Sequence, residues 1–308
     1  MTSLDGTPMS RLAFGTMQFG GRADASASRA MYDACIEAGI NHFDTAYVYN
    51  EGASEELLGS FITDNREQLL IATKAAFGGG GTKKAIQDSL EVSRKRLGLD
   101  VIDIYYMHRF DPDTDLHESM EAMVELSAAG KIRYVAVSNF AAWQVVKAKN
   151  IAEKIGITIN MIQPMYNLVK RQAEVEILPM CAEQGVSCAP YSPLGGGLLT
   201  GKYASGGAGR LKEDKMYAKR YGLDWMHQAA SDLATLAKDV GQDPATLAVA
   251  WVARHTAHPT PIISAQSAEQ LAPSLAAMDY ELDDALYARL SALSPTPPPA
   301  TDRIEEQG

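Results

Sequence analysis

The chain has 308 residues, of which 46% are hydrophobic, so it can bury a large core. Its formal net charge of -10 argues against a general nucleic-acid surface, because phosphate binding needs clustered Lys and Arg. No apolar run approaches the ~18 residues of a membrane span, and the N-terminus lacks a basic start followed by an apolar stretch. From this we expect no membrane partner. Three cysteines without a Cys-x-x-Cys pair indicate reduced thiols in a cytoplasmic protein.

Short apolar runs alternate with longer amphipathic ones along the chain. The apolar runs predict eight strands, at 11–14, 40–44, 69–73, 101–107, 134–137, 159–163, 186–191 and 261–263. The amphipathic runs predict helices at 26–38, from 54 onward, and at 82–97, 115–129, 141–155, 173–184, 224–240, 243–255, 268–278 and 283–293. Ser54 and Asp243 are predicted N-caps, and Pro244 takes a first helical position.

The alternation of strand and helix predicts how the strands are arranged. This spacing implies parallel strands joined by helical crossovers, and eight such units predict an α/β fold, a single-domain (β/α)8 TIM barrel. We assign 1–294 to the barrel with an extra C-terminal helix, and 295–308 to a Pro-rich C-terminal tail. An open doubly wound sheet is the alternative. It usually carries Gly-x-Gly-x-x-Gly after its first strand, and residues 15–21 do not match that motif.

The segment 195–222 departs from the acidic balance of the chain. It holds six basic residues and two acidic ones, a net charge of +4. Two interpretations remain open, a solvated loop or a local site for a small anion.

Polar residues occupy or directly follow the predicted strand ends. Active sites of (β/α)8 barrels lie at the C-terminal ends of the strands, so these side chains should converge on one face. They are Asp44, Lys74, His108, Ser138, Asn139, Gln163 and Tyr191.

Three of these side chains, together with Tyr49 five residues after Asp44, suit proton transfer to a carbonyl oxygen. The phenol of Tyr49 is a poor acid at neutral pH, and a nearby ammonium such as Lys74 would lower its pKa. Asp44 would hold that ammonium, and His108 would donate to and orient a substrate oxygen. None of these groups is a reductant, so carbonyl reduction would need a hydride cofactor.

Two other chemistries remain as alternatives to proton transfer. A metal site has little support, because His42 and Asp44 face the same way on a strand but no third ligand is evident. A Schiff-base lyase is a more serious rival, since a desolvated Lys74 can attack carbonyls.

Seven motifs follow one another in a familiar order and spacing: FDTAYVY, SEELLG, IATK, YYMH, VSNF, IQPMYN and YSPLGGGLLTGKY. Together they make the chain resemble an aldo-keto reductase over residues 12–293. The resemblance implies reversible NAD(P)H-dependent reduction of an aldehyde or ketone to an alcohol. It also implies a catalytic tetrad, with Tyr49 as general acid/base beside Asp44, Lys74 and His108.

The resemblance further implies four sets of cofactor contacts. They would hold the nicotinamide carboxamide, stack on its ring, line the pyrophosphate and face the adenosine end. The residues with these roles are, in that order, Ser138, Asn139 and Gln163; Tyr191; Ser192, Leu194 and Lys202; and Ser264, Gln266 and Gln270.

The expected cofactor is NADP(H), because family members mostly use it and the basic segment is consistent with an extra phosphate. NAD(H) is the alternative, because 264–274 contains no Lys or Arg. Gln266 and Gln270 stand where a cation is expected, and Ser274 stands where Asn is usual. Asn50 replaces the Gly that usually follows the catalytic Tyr.

Three functions remain open at this point. The first is a reductase acting on a small-molecule carbonyl or alcohol. The second is a nucleotide-binding regulatory subunit with the same fold, because the family includes redox-sensing partners of membrane channels. The third is the lyase that would use Lys74. Candidates for a substrate pocket, by position only, are Met17, Phe19, Val48, Phe77, Arg109, Phe110, Tyr221 and Trp225.

Overall fold

The computed structural model describes residues 1–203, 209–303 and 305. Its strands are Ala13–Gly15 (β1), His42–Asp44 (β2), Leu70–Lys74 (β3), Ile102–Met107 (β4), Ile132–Ser138 (β5), Ile159–Gln163 (β6), Ser187–Cys188 (β7) and Ile262–Ile263 (β8). All pair in parallel within one sheet, in the order β7-β6-β5-β4-β3-β2-β1-β8.

The first and last strands of this order meet and close the sheet. The N–H of Thr260 donates to the carbonyl of Cys188 at 2.8 Å, and the N–H of Ile262 donates to that of Pro190 at 2.9 Å. Tyr191 adds a parallel bridge to Ile262. The predicted single-domain (β/α)8 barrel is therefore confirmed. Strand β7 is shorter than the predicted 186–191, and Pro190 within that stretch has no N–H to give to a ladder.

Helices cover the outside of the sheet. They are Ala25–Glu37 (α1), Ala53–Phe61 (α2), Lys83–Leu97 (α3), Leu116–Ala128 (α4), Ala142–Lys154 (α5), Ile177–Gln184 (α6), Arg210–Glu213 (α7), Lys215–Arg220 (α8), Asp224–Asp239 (α9), Pro244–Arg254 (α10), Ala268–Leu275 (α11) and Asp284–Ser291 (α12). The Asp243 carboxylate accepts from the N–H of Ala245, so it is the predicted N-cap of α10 with Pro244 beside it.

Two local predictions were wrong. Ser54 does not cap α2, because Gly52 at φ 104° takes the N-cap position and the buried Ser54 hydroxyl donates to the carbonyl of Thr16 at 2.8 Å. The basic segment 195–222 is not a continuous loop, because α7 and α8 form within it. Residues 204–208 of that segment, and residues 304 and 306–308 of the predicted tail, lie outside the described part.

The barrel interior is a small apolar cluster separate from the large core under the helices. Its buried members are Ala13, Ala72, Ile104, Tyr106, Ala136, Met161, Ala189 and Ile262. Ala72 belongs to this cluster, and side chains alternate along a strand, so Lys74, two positions beyond Ala72, faces inward as well. Asp44 is the cross-strand partner of Ala72 and completes the same inward face. Within the described ranges, no helix is long and apolar enough to cross a membrane.

Candidate active site

A buried ion pair joins the ends of β2 and β3. The Lys74 ammonium donates to Oδ1 of Asp44 at 2.5 Å and to the carbonyl oxygen of Thr45 at 2.7 Å. Lys74 is 0% exposed and Asp44 is 2% exposed. The two strands are neighbours in the sheet, so the pair is held by backbone ladders on both sides. A charge this deeply buried is tolerated only when it is paired and hydrogen-bonded.

Tyr49 lies over this ion pair from the loop after β2. Its hydroxyl is 3.4 Å from the Lys74 ammonium, and its ring centroid is 4.9 Å from the same nitrogen. The backbone after it is left-handed at three successive residues, Asn50, Glu51 and Gly52, with φ of 49°, 57° and 104°. This sharp turn brings the phenol back across the strand end.

The side chain of Asn50 fastens that turn to the loop after β1. Its amide donates to the carbonyl of Met17 at 2.9 Å and to that of Phe19 at 2.7 Å. A Cβ at Gly21 would lie 2.6 Å from the Asn50 side chain, so the contact also needs a glycine there. No sequence pattern predicts this role, because the partners are backbone atoms of another loop.

His108 follows β4 and completes the group. Its ring meets that of Tyr49 edge-on, with centroids 6.1 Å apart, and that of Phe77 edge-on at 5.0 Å. Burial, and then the charge of Lys74, lower the His108 pKa to about 3, so the imidazole is neutral at physiological pH. Its Nδ1 is buried and has no hydrogen-bond partner among the described residues.

The electrostatics of the ion pair and the phenol differ in one respect from the expectation. Burial raises the Tyr49 pKa more than the Lys74 charge lowers it, so the net shift is upward rather than downward. For Lys74, burial lowers the pKa, but the charge of Asp44 and the contacts with Tyr49 outweigh it and the pKa is raised. Near neutral pH the site therefore holds a protonated phenol beside a charged ammonium.

A hydrogen-bonded network on the neighbouring strands contacts this group. The Gln163 amide donates to Oδ2 of Asp44 at 2.8 Å, and the Ser138 hydroxyl donates to the carbonyl of Gln163 at 3.0 Å. Asn139, at φ 57°, donates to the carbonyl of His108 at 2.9 Å. The Gln163 amide expected to hold a carboxamide is thus bonded to Asp44.

Tyr191 joins the network from the far side of the barrel. Its hydroxyl donates to Oδ1 of Asn139 at 2.8 Å, while its own backbone bridges to Met165 and Ile262. The side chain is partly exposed, so the ring remains available at the mouth of the barrel. The residues predicted at the ends of β5, β6 and β7 do converge with Asp44 and His108.

A glycine-rich turn follows Tyr191. Residues 195, 196 and 197 have φ of 57°, 66° and 95°, and Leu194 and Ser192 precede them, Ser192 at φ 60°. A Cβ at Gly196 would lie 2.7 Å from the Tyr217 ring, so this approach needs glycine. Lys202 lies beside the turn, because a Cβ at Gly197 would be 3.3 Å from its ammonium. These backbone positions form a tight, cation-flanked turn where the pyrophosphate contacts were predicted.

The segment after β8 presents hydroxyls and amides rather than cations. The hydroxyl oxygens of Ser264 and Ser274 are buried and have no hydrogen-bond partner among the described residues. The Gln270 side chain accepts from the N–H of Gln266 at 3.4 Å at the start of α11. Glu269 lies in the first turn of that helix. A phosphate or ribose oxygen would satisfy the orphaned hydroxyl of Ser264, so the residues present fit a nucleotide.

The residues predicted to line a substrate pocket fall into two groups, one exposed and one buried. Several large side chains at the mouth are exposed: Met17 (36%), Val48 (40%), Phe77 (44%) and Trp225 (38%). Tyr221 and Phe19 are 0% exposed and belong to the core, so they are not walls of an open pocket.

Comparison with known proteins places the chain in a family. The Aldo/keto reductase family matches residues 11–295. The chain belongs to the aldo/keto reductase family. It is an oxidoreductase enzyme. The side chains of Asp44, Tyr49, Lys74 and His108 lie together at one end of its barrel.

Individual relatives cover most of the chain. An uncharacterized oxidoreductase, YrpG, of Bacillus subtilis strain 168 is 34% identical over 95% of this chain and 94% of its own. An L-glyceraldehyde 3-phosphate reductase of Escherichia coli K12 is 30% identical over 89% of this chain and 85% of its own. A probable voltage-gated potassium channel subunit beta of Oryza sativa subsp. japonica is 32% identical over 89% of each chain.

Proposed function

We propose that the protein reversibly reduces an aldehyde or ketone to an alcohol, with NADPH or NADH as the hydride source and Tyr49 as general acid/base. One observation carries this proposal. The Tyr49 hydroxyl is 3.4 Å from the Lys74 ammonium, which Asp44 holds at 2.5 Å in a buried site. An acid beside a fixed positive charge is what a carbonyl oxygen needs as negative charge develops on it.

Each member of the group then has a defined role. When bound, the nicotinamide supplies the hydride that bonds to the carbonyl carbon. Tyr49 gives its proton to the carbonyl oxygen, and the Lys74 charge stabilises the phenolate that remains. The neutral imidazole of His108 donates an N–H to the same oxygen and orients it. Asp44 keeps the ammonium in place and charged.

The cofactor would lie along the residues after β5 to β8. The turn at 192–197 and Lys202 would hold the pyrophosphate, and Ser264 would take a nucleotide oxygen. The net positive charge of the segment 195–222 favours the extra phosphate of NADP(H). Glu269, beside Gln266 and Gln270 in a segment without Lys or Arg, favours NAD(H). Paired titrations with NADPH and NADH, followed by intrinsic Trp fluorescence, decide between the two.

The Tyr49→Phe variant tests the proposed role of the phenol. Turnover of aldehydes should fall by about 10²- to 10⁴-fold, the usual contribution of a positioned general acid. Cofactor affinity should stay within about twofold, because the phenyl ring and the pair beneath it remain. A variant that keeps most of its turnover, or that loses cofactor binding together with turnover, would contradict the role.

The similarity to a potassium channel subunit beta supports a second candidate, a nucleotide-binding regulatory subunit. The two functions differ in turnover. Steady reduction of several simple aldehydes by the purified protein favours the enzyme. Negligible turnover combined with tight nicotinamide binding and a co-purifying partner favours the regulatory subunit.

The lyase alternative has less support in the site. A Schiff base requires a neutral amine, and the Lys74 pKa is raised by Asp44 and Tyr49 despite its burial. Borohydride in the presence of an aldehyde should therefore leave Lys74 unmodified. A stable adduct at Lys74, found by mass spectrometry, would instead support the lyase function.

A further inference from the structure

A positive charge lies directly beside the proposed proton-transfer group. Arg109 follows His108 in the chain, and its guanidinium carbon is 5.0 Å from the centroid of the Phe77 ring. The same ring meets His108 edge-on at 5.0 Å, with the planes at 86°. One phenyl ring therefore contacts both the imidazole and the guanidinium. A substrate whose carbonyl lies at His108 would extend along this ring toward Arg109.

The Arg109 charge is available to a ligand. Its side chain is exposed, and among the described residues it makes no ion pair. Its charge acts on Asp111: burial raises the pKa of that carboxyl, but hydrogen bonds and, to a smaller extent, the Arg109 charge outweigh burial and lower it. That carboxylate already accepts from the N–H of Gly81 at 3.2 Å, the N–H of Asp113 at 3.1 Å and the hydroxyl of Thr114 at 3.0 Å. Asp111 thus organises its own loop and leaves the guanidinium fork open.

Two other arginines near this face are engaged differently. Arg22 pairs with Glu213 at 3.0 Å, and Arg96 pairs with the buried Glu55 at 3.1 Å. Each of these charges is matched by a carboxylate of the protein. Arg109 instead rests on an aromatic ring that is 44% exposed, which keeps the guanidinium in place without neutralising it.

We propose that Arg109 and Phe77 form an anion subsite for the substrate, so that the preferred substrate is a carbonyl compound carrying a carboxylate or phosphate on a flat apolar body. This inference rests on the proposed reductase function. The guanidinium matches the two oxygens of either oxyanion with parallel N–H donors. The exposed face of Phe77 packs against the apolar body, which sets the distance between the anion and the carbonyl.

Matched aldehydes test the subsite. The values of kcat/KM are compared for 4-carboxybenzaldehyde, 4-formylphenyl phosphate and the neutral ester methyl 4-formylbenzoate. The unaltered enzyme should prefer at least one anion over the ester by about tenfold or more, the value of one charge-assisted hydrogen bond. The two anions show which oxyanion the subsite takes. The preference should weaken as salt is raised, because the side chain is exposed.

Three variants separate the subsite from a general charge effect. Arg109→Gln should reduce the ratio of anion to ester kcat/KM by about tenfold or more, mainly through KM. Arg109→Lys keeps the charge but loses the fork, so it should retain part of the ratio. Arg22→Gln removes an exposed cation at the same end of the barrel and should retain the full ratio. A ratio that is the same in Arg109→Gln as in the unaltered enzyme overturns the subsite.

A binding measurement keeps the test independent of turnover. Calorimetry with 4-(hydroxymethyl)benzoate, the corresponding alcohol, should show affinity about tenfold weaker or worse in Arg109→Gln. Such a loss of affinity supports the subsite whether or not any aldehyde is reduced. Absence of aldehyde reduction would overturn the proposed reductase function, and not the subsite. Equal affinity in the two proteins overturns the subsite while leaving aldehyde reduction as evidence for the enzyme.

Discussion

The buried pair of Asp44 and Lys74 makes a prediction about stability. In Asp44→Asn the amide has nearly the shape of the carboxylate, so it keeps the space, but its one oxygen can replace only one of the two carboxylate oxygens that accept from Lys74 and Gln163. The charge opposite the ammonium is lost. Lys74, at 0% exposure, would keep the Thr45 carbonyl and the Tyr49 hydroxyl as neutral partners and would have no opposite charge beside it. The variant should fold but be considerably less stable.

The size of the loss can be bounded from the lysine itself. Removing one partner of a buried ion pair usually costs about 3–5 kcal/mol. The lysine can avoid a larger cost by losing its proton. Going from its ordinary pKa of 10.5 to neutrality at about pH 7 costs about 5 kcal/mol, at 1.36 kcal/mol per pH unit. We expect a loss of about 3–5 kcal/mol at neutral pH.

The same reasoning gives a pH signature. If Lys74 is neutral in the folded variant, its folded pKa lies below the unfolded one, and the unfolded chain binds more protons. The free energy of unfolding of the variant then rises with pH below the unfolded pKa. The difference in stability between the variant and the unaltered protein should therefore decrease between about pH 7 and 9, by up to about 1.36 kcal/mol per pH unit. In the unaltered protein the Lys74 pKa is raised, so its contribution is fully present below the unfolded pKa.

Urea unfolding of the unaltered protein and of the variants named below, at several pH values, measures these effects. Asp44→Asn, Lys74→Met and the double variant form a thermodynamic cycle, and the double variant should be more stable than the sum of the single losses implies. Asp33→Asn breaks the exposed pair with Arg29 and should cost less than ~1 kcal/mol. A pH-independent loss of that small size in Asp44→Asn would refute the account of a buried, charge-paired lysine.

Three further predictions concern single residues. The pH profile of kcat/KM for reduction should show no step near 6.5, because burial and Lys74 hold the His108 pKa at about 3; a step there would mean that the imidazole is more exposed. Asn50→Gly keeps the left-handed backbone but loses the bonds to the carbonyls of Met17 and Phe19, so urea unfolding should show about 1 kcal/mol less stability, and no loss would mean that the bonds are not formed in solution. Gln270→Arg should raise the affinity for NADPH relative to NADH by about tenfold in fluorescence titrations, and an unchanged ratio would place the phosphate elsewhere.

The barrel and the meeting of polar residues could be predicted because both follow from periodicity. Eight apolar runs, each followed by an amphipathic run, specify parallel strands with crossovers, and closure brings their ends together. Asp44, Lys74 and His108 each end or follow such a run. Their proximity could therefore be predicted from the barrel alone, without knowing the structure of any loop.

The details that escaped prediction depend on contacts between segments distant in the chain. Ser54 has the residue type of an N-cap, but burial against Thr16 and Thr45 diverts its hydroxyl. The Gln163 amide bonds to Asp44, which is 119 residues away in sequence. The direction of the Tyr49 pKa shift depends on how deeply the turn at 50–52 buries the phenol, which periodicity does not report.

The division between strands and loops also separates the proposed proton-transfer group from the proposed anion subsite. Lys74 and Asp44 lie on strand ends, are nearly inaccessible, and are held by ladders, so their geometry cannot change without a large loss of stability. Phe77 and Arg109 lie on the loops just beyond β3 and β4, and both are exposed. Substitutions at those two positions should therefore alter the choice of substrate at little cost in stability, usually within about 0.5 kcal/mol for exposed sites. If the two proposals hold, the substrate range can change in this barrel while the proposed proton-transfer group stays in place.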